Sequence, residues 1–173
     1  AETVLPEMDP TVVADFATGI TGWVPESGWD YSAGKADLTS KKEETTIAWD
    51  ETMQALKVSL DYTQDSASTW SEAKVKLTGA TCDVSAYNLL TYDIIHPADF
   101  TDYKVKVFAN NADSATTIIE KEGILETTDL ESGMKKTTVM VKFSPNAEKI
   151  TDLTLGTIGV NSSFKGDIYI DNV

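Results

Sequence analysis

Residues 70–77 read WSEAKVKL. Successive side chains in a strand alternate between its two faces, so Ala73, Val75 and Leu77 share one face while Trp70, Glu72, Lys74 and Lys76 share the other. The first face is a core face. The second carries charges that belong in water, with a large aromatic standing among them. Trp70 therefore has two readings. Either it folds under a neighbouring loop and belongs to the interior, or it is a platform for a flat, partly apolar ligand.

The same period of two recurs along the chain in VVADF, ALKVSLDY, LLTYDII, YKVKVFAN, TTVMVKF, LTLGTIGV and DIYIDNV. In ALKVSLDY, Leu56, Val58, Leu60 and Tyr62 fall on one side. In TTVMVKF, Val139, Val141 and Phe143 do the same. Between these runs lie GITG, PESG, TQDSAS, NNADS, ESG, SPN and NSSFKG, rich in the residues that turns require. No segment longer than about ten residues holds a helical apolar stripe between caps. IIEKEGILETTDLESG comes nearest, but Gly123 interrupts it and its threonines suit strands better. Many short strands without strand–helix alternation predict an all-β fold, a β-sandwich jelly roll of two antiparallel sheets. Residues 1–10, with two prolines and three acids, read as a lead-in segment, and residues 11–173 as a single domain.

The 173 residues include 28 acids against 14 bases, all of them lysine, for a formal net charge of −14. That balance argues against nucleic acid, whose phosphates need basic surface, and against an anionic membrane surface. It leaves carboxylates for a cation such as calcium. Cys82 is the only cysteine and is expected as a buried, inert thiol; it can form no internal disulfide, and thiolate zinc sites are excluded. His96, the only histidine, precedes Pro97 at a strand end and reads as a loop residue, so no Ser-His-Asp or multi-histidine metal site has support. No run of 18 apolar residues is present. AETVLPEMDP lacks a charged n-region and an apolar h-region; it reads as the start of a mature or trimmed chain and leaves the compartment open.

Sugars are flat, partly apolar ligands. A pyranose has a C–H face that stacks on an aromatic ring and edge hydroxyls that donate and accept hydrogen bonds. On that reading Trp70 is the platform, and Glu72, Lys74 and Lys76 supply polar contacts. YKVKVFAN offers a second row of the same kind: Val105, Val107 and Ala109 point one way, and Lys104, Lys106, Phe108 and Asn110 the other. In GITGWVPESGWDY, Trp23 and Trp29 each follow a glycine in a segment too broken by turns for a core strand; either clamps its loop or forms binding surface, with Trp29 preferred for binding. Trp49, beside Ile47, is expected to plug one end of the core.

The order DFATGITGW, SGW, ALKVSLDY, WSEAKVKL, YNLLTYDIIHP, ITDLTLGTIGV and GDIYIDNV resembles the carbohydrate-binding modules of bacterial β-mannanases, families 27 and 23, over residues 13–173. The Trp-x-Glu-x-Lys strand and the closing Gly-x-Ile-Tyr-Ile-Asp-Asn-Val carry most of that likeness. It implies a non-catalytic, secreted, monomeric module. Such a module grips β-1,4-mannan, galactomannan or glucomannan in a cleft on one sheet and tethers a covalently linked glycoside hydrolase. Carried over by position, Trp29 and Trp70 match stacking residues, Glu72 and Lys74 match polar partners, and Lys104 and Lys106 fall where a basic strand residue is expected. NNADSATT lacks a loop tryptophan of the family pattern, so one platform is absent or supplied by Trp23. The resemblance also implies a structural calcium held by Asp15 and Asp171 with main-chain carbonyls. Alternatively, the two are ordinary polar residues at strand ends.

Two other functions compete. A glycan-active sandwich enzyme would use Glu72 and Asp93 as acid and base, but Lys74, two residues along, would lower the Glu72 pKa where an acid needs it raised. A protein-binding scaffold or adhesin module would need an apolar outer face, whereas these rows are polar.

Overall fold

A computed structural model of the chain describes residues 9, 11–26, 29–30, 35–36, 46–61, 70–78, 80–111, 117–143, 149–160 and 164–173. Among them all regular structure is strand: β1 (Trp23–Glu26), β2 (Trp29–Asp30), β3 (Lys35–Ala36), β4 (Thr46–Asp50), β5 (Ala55–Asp61), β6 (Trp70–Leu77), β7 (Cys82–Asp83), β8 (Leu89–His96), β9 (Tyr103–Asn111), β10 (Thr117–Glu122), β11 (Ile124–Asp129), β12 (Lys135–Lys142), β13 (Lys149–Val160) and β14 (Lys165–Asp171). One sheet runs β1-β6-β13-β9-β10 with β7 also on β13, the other β11-β12-β8-β14-β5-β4, and β2 and β3 form a hairpin of their own. The pairings are antiparallel, and the two sheets make the jelly-roll sandwich expected from the sequence.

Period-two patterning explains how the core is assembled. Leu56, Val58 and Leu60 of β5, Ala73, Val75 and Leu77 of β6, Val105, Val107 and Ala109 of β9, and Val139 and Val141 of β12 are all buried, and the residues between them are not. Each strand thus gives one face to the interior and one to the outside. Cys82 lies buried among the same apolar residues. Burial pushes its thiol pKa up, with Asp83 and Asp9 adding repulsion, which keeps it inert.

The interrupted stretch around Gly123 resolves into two strands in different sheets. β10 belongs to the first sheet and β11 to the second, and Gly123 is the single residue between them, its N–H donating to Val105 O at 2.9 Å. A Cβ built on Gly123 would lie 2.5 Å from Val139 Cγ1, closer than real side chains approach. Gly123→Ala is therefore expected to destabilise the protein by about 1–3 kcal/mol through overpacking, read as a lower urea midpoint at unchanged slope. An unshifted midpoint would show that the crossing relaxes freely.

Three expectations need correction. VVADF is not a strand; it is held at separate points, Val13 and Ala14 N–H donating to Val173 O at 2.8 and 3.1 Å and Phe16 O accepting from Trp49 Nε1 at 2.9 Å. Trp23 sits in β1, a short edge strand, and only 6% of it is exposed. Its ring tilts against Phe16 at 5.5 Å, so it is core and has no open face for a sugar. His96 is not a loop residue either: it ends β8 and is 2% exposed. The lead-in of residues 1–10 lies outside the described residues apart from Asp9, whose Oδ1 accepts from Thr11 N at 2.9 Å.

The partners of His96 fix its proton. Pro97 O, 2.8 Å from Nδ1, can only accept, so Nδ1 carries the hydrogen. Nε2 then accepts from Thr137 Oγ1 at 2.8 Å, while Thr137 Oγ1 itself accepts from Tyr103 Oη at 2.9 Å and from Thr127 Oγ1 at 2.8 Å. A protonated ring would aim a third donor at a hydroxyl with two lone pairs. Burial holds the His96 pKa below its ordinary value, against the raising effect of the Pro97 carbonyl, and Lys135 pushes it further down. A pKa depressed on folding means the unfolded chain takes the proton first, so this contribution is complete above about pH 6.5 and is lost as pH falls below it. The melting temperature is expected to drop over that window in the wild type and to drop less in His96→Gln. Parallel pH profiles would exclude His96 as the cause.

Candidate functional site

The first sheet has its long strands at its centre, and its outer face is built from their alternate residues. β13 pairs with both β6 and β9, and the registers align the two lysine rows across it. Gly156 lies opposite Lys74 on one side and Lys106 on the other; Thr154 lies opposite Lys76 and Phe108; Ile158 lies opposite Glu72 and Lys104; Val160 lies opposite Trp70. The two rows legible in the sequence are thus brought onto one face, separated by a single strand. Strand spacing sets them about 10 Å apart.

The relief of this face follows from residue size. Thr154 and Ile158 on the central strand are buried, Lys74, Lys76, Lys106 and Phe108 beside it are half-buried, and Lys104 is exposed. The result is a shallow trough with a low floor and flanking lysine stems. Beyond Lys104 it opens into a depression lined by Thr101, Asp102, Tyr103, Lys104 and Val160, at the strand end that carries Trp70. Asn110, at the opposite end of β9, donates from Nδ2 to Asp152 Oδ1 at 3.1 Å.

The remaining sequence candidates separate. Trp70 and Glu72 occupy strand positions in step with Lys74, and their side chains lie outside the described residues. Trp29, whose side chain also lies outside them, is in β2, and the backbone of β2 lies beside β6. Trp23 is core, as described above. Trp49 packs against the core as expected, its Nε1 donating to Phe16 O at 2.9 Å. The acid–base pairing of Glu72 with Asp93 is ruled out by position. Glu72 is in the first sheet and Asp93 in the second, where Asp93 accepts from Thr138 Oγ1 at 2.9 Å and from Asn172 Nδ2 at 3.0 Å.

Asp15 and Asp171 meet where the two ends of the fold are tied. Val173 N donates to Ala14 O at 2.9 Å beside the bonds from Val13 and Ala14, which brings the Asp15 segment to the end of β14. Burial raises the Asp171 pKa, the Asn172 N–H opposes this, and repulsion from Asp93 and Asp15 raises it further. Asp171 therefore feels two other carboxylates there. Among the described residues no group of three or more His, Cys, Asp or Glu is placed to share one ion. A cation at this junction would have to draw on main-chain carbonyls as well.

No protein-family model matches the chain, and no curated protein matches it in sequence. Its fold is found in solved structures. It superposes on a family 27 carbohydrate-binding module studied for specific mannan recognition with a TM-score of 0.56 and 19% identity, covering 92% of this chain and 91% of that one. It superposes on the CBM27-1 module of Caldicellulosiruptor saccharolyticus, solved in complex with mannohexaose, with a TM-score of 0.62 and 17% identity over 96% of each chain. A family 28 module specific for non-crystalline cellulose gives a TM-score of 0.63 at 14% identity, with coverage of 98% and 96%. The resemblance to family 27 modules thus holds at the level of the fold.

Proposed function

We propose that this domain is a non-catalytic carbohydrate-binding module that takes stretches of β-1,4-mannan, galactomannan or glucomannan along the outer trough of its first sheet. The observation that carries this reading is the alignment of two lysine rows across Gly156, in step with the strand position of Trp70. Lysine ammonium groups donate to ring hydroxyls, a tryptophan platform takes the C–H face, and a glutamate accepts. Trp70 and Trp29 are the proposed platforms, with Glu72, Lys74, Lys104 and Lys106 as polar partners. Two structures with this fold, one studied for mannan recognition and one solved with mannohexaose, support the sugar class. The cellulose-specific third makes a β-glucan the rival ligand. In this reading the module is secreted, works as a monomer and holds a linked glycoside hydrolase near its substrate, raising local concentration.

Affinity electrophoresis tests it, in gels with galactomannan, glucomannan, xylan, hydroxyethylcellulose or no polysaccharide. Retardation by the two mannans alone is the expected result. Retardation by hydroxyethylcellulose instead would move the ligand to β-glucan, and no retardation in any gel would overturn the sugar reading.

Asp15 and Asp171 suit calcium in the chemistry of their hard oxygen donors, and a divalent cation would offset the burial and, beside it, the repulsion that raise the Asp171 pKa. We place a structural calcium there, tying the first segment to the last strand. Chelation is expected to lower the melting temperature by several degrees while leaving polysaccharide affinity nearly unchanged, since a ligand bound only by the folded state stabilises it. A melting temperature insensitive to chelator would remove the ion.

A further inference from the structure

Phe108 poses on β9 the question that Trp70 poses on β6. Its neighbours Val105, Val107 and Ala109 fill the core and are at most 1% exposed, yet the large apolar ring stands in the alternate row among lysines. It is half-buried. Two cations attend it: Lys74 Nζ lies 4.9 Å from the ring centroid and Lys106 Nζ 5.1 Å. They reach it from different strands, one on each side of β13.

Gly156 is the residue between them. A Cβ there would lie 3.1 Å from Lys106 O, 3.7 Å from Lys74 Cγ and 3.9 Å from Phe108 Cε2, so any side chain would fill the hollow that the three enclose. A glycine inside a central strand weakens it and marks a place where something approaches the backbone closely. Its backbone is otherwise ordinary strand, paired on both sides, so no turn or bulge accounts for it.

We propose that Phe108, with Lys74 and Lys106 around the Gly156 hollow, is a further aromatic subsite for a neutral sugar ring. The proposal rests on the carbohydrate reading above. In the sugar-free protein the two ammonium groups lie over the ring by cation–π attraction. A bound sugar takes the ring face with its C–H groups, and the ammonium groups turn to donate to its edge hydroxyls. Phe108 is opposite Thr154 and Trp70 is opposite Val160, six residues along β13. The two positions are therefore about 20 Å apart along the strand. Aromatic positions at both ends of the lysine rows fit an extended chain of several sugars, not a single ring.

The test is calorimetric titration of the wild type, Phe108→Ala, Phe108→Leu and Phe108→Trp with mannohexaose, beside a thermal melt of each. Phe108→Leu keeps apolar volume against the lysine stems but has no π face, which covers the case in which the alanine variant fails to fold. Both truncations are expected to weaken mannohexaose binding about tenfold, and Phe108→Trp to retain it. A folded Phe108→Leu that binds like the wild type would overturn the subsite while leaving the carbohydrate reading in place. A folded wild type that does not bind mannohexaose or the mannan gels would overturn both.

Discussion

Trp70→Ala is expected to abolish retention in mannan gels while the unfolding midpoint stays close to that of the wild type. The core of β6 is supplied by Ala73, Val75 and Leu77, all buried, and Trp70 stands out of step with them, at the strand end opposite Val160. Removing it takes nothing from that apolar set. For ligands that bind by stacking, one aromatic platform is worth about 1–3 kcal/mol, a loss of roughly tenfold to a hundredfold. Gel retention at the modest affinities usual for sugars does not survive such a loss. An unfolded variant would make Trp70 part of the interior, and a folded variant with normal retention would remove it from the site.

Trp23→Ala is expected to do the opposite. Its ring is 6% exposed and packs on Phe16, with Leu77 opposite it in the register of β1 and β6. Truncating a buried tryptophan leaves a cavity and costs about 3–5 kcal/mol. Measured against total stabilities of about 5–15 kcal/mol, that is enough to unfold much of the population near body temperature. Urea denaturation should show the lower midpoint, while the fraction that remains folded should run in mannan gels like the wild type. Normal stability with lost retention would return Trp23 to the binding surface.

The sequence revealed the fold wherever one face of a strand is buried and the other wet. β5, β6, β9 and β12 alternate cleanly because each separates an apolar interior from solvent, and the period of two records that separation. β1 escaped because four edge residues including Pro25 carry no readable period. VVADF alternates without being a strand, because alternation does not reveal whether a segment has strand partners. Trp23 looked like loop because glycine and proline surround it, although its burial is decided by Phe16, close in sequence but folded back onto it. His96 reads as a loop residue because Pro97 follows it, yet its ring nitrogens are both bonded at hydrogen-bond distance inside the sandwich.

The site was legible as rows but not as an arrangement. Lys74 and Lys106 could each be assigned to an outer face from their own strands, but their placement across Gly156 depends on the register of β13 with both neighbours. Register between residues 50 and 82 positions apart, as Gly156 is from Lys106 and Lys74, is a long-range property that local patterning does not carry. The one local signal was a glycine in LTLGTIGV where a strand would favour a branched side chain.

The passage of the chain through Gly123 binds the sandwich like the spine of a book. β10 and β11 are continuous across that edge, so the two sheets share a covalent spine there. The fore-edge lies on the other side, where β1 of one sheet meets β4 of the other. Phe16 acts as its clasp, with its ring against Trp23 of β1 and its carbonyl holding the indole N–H of Trp49 in β4. The clasp and the Gly123 seam thus close the sandwich along its two opposite long edges.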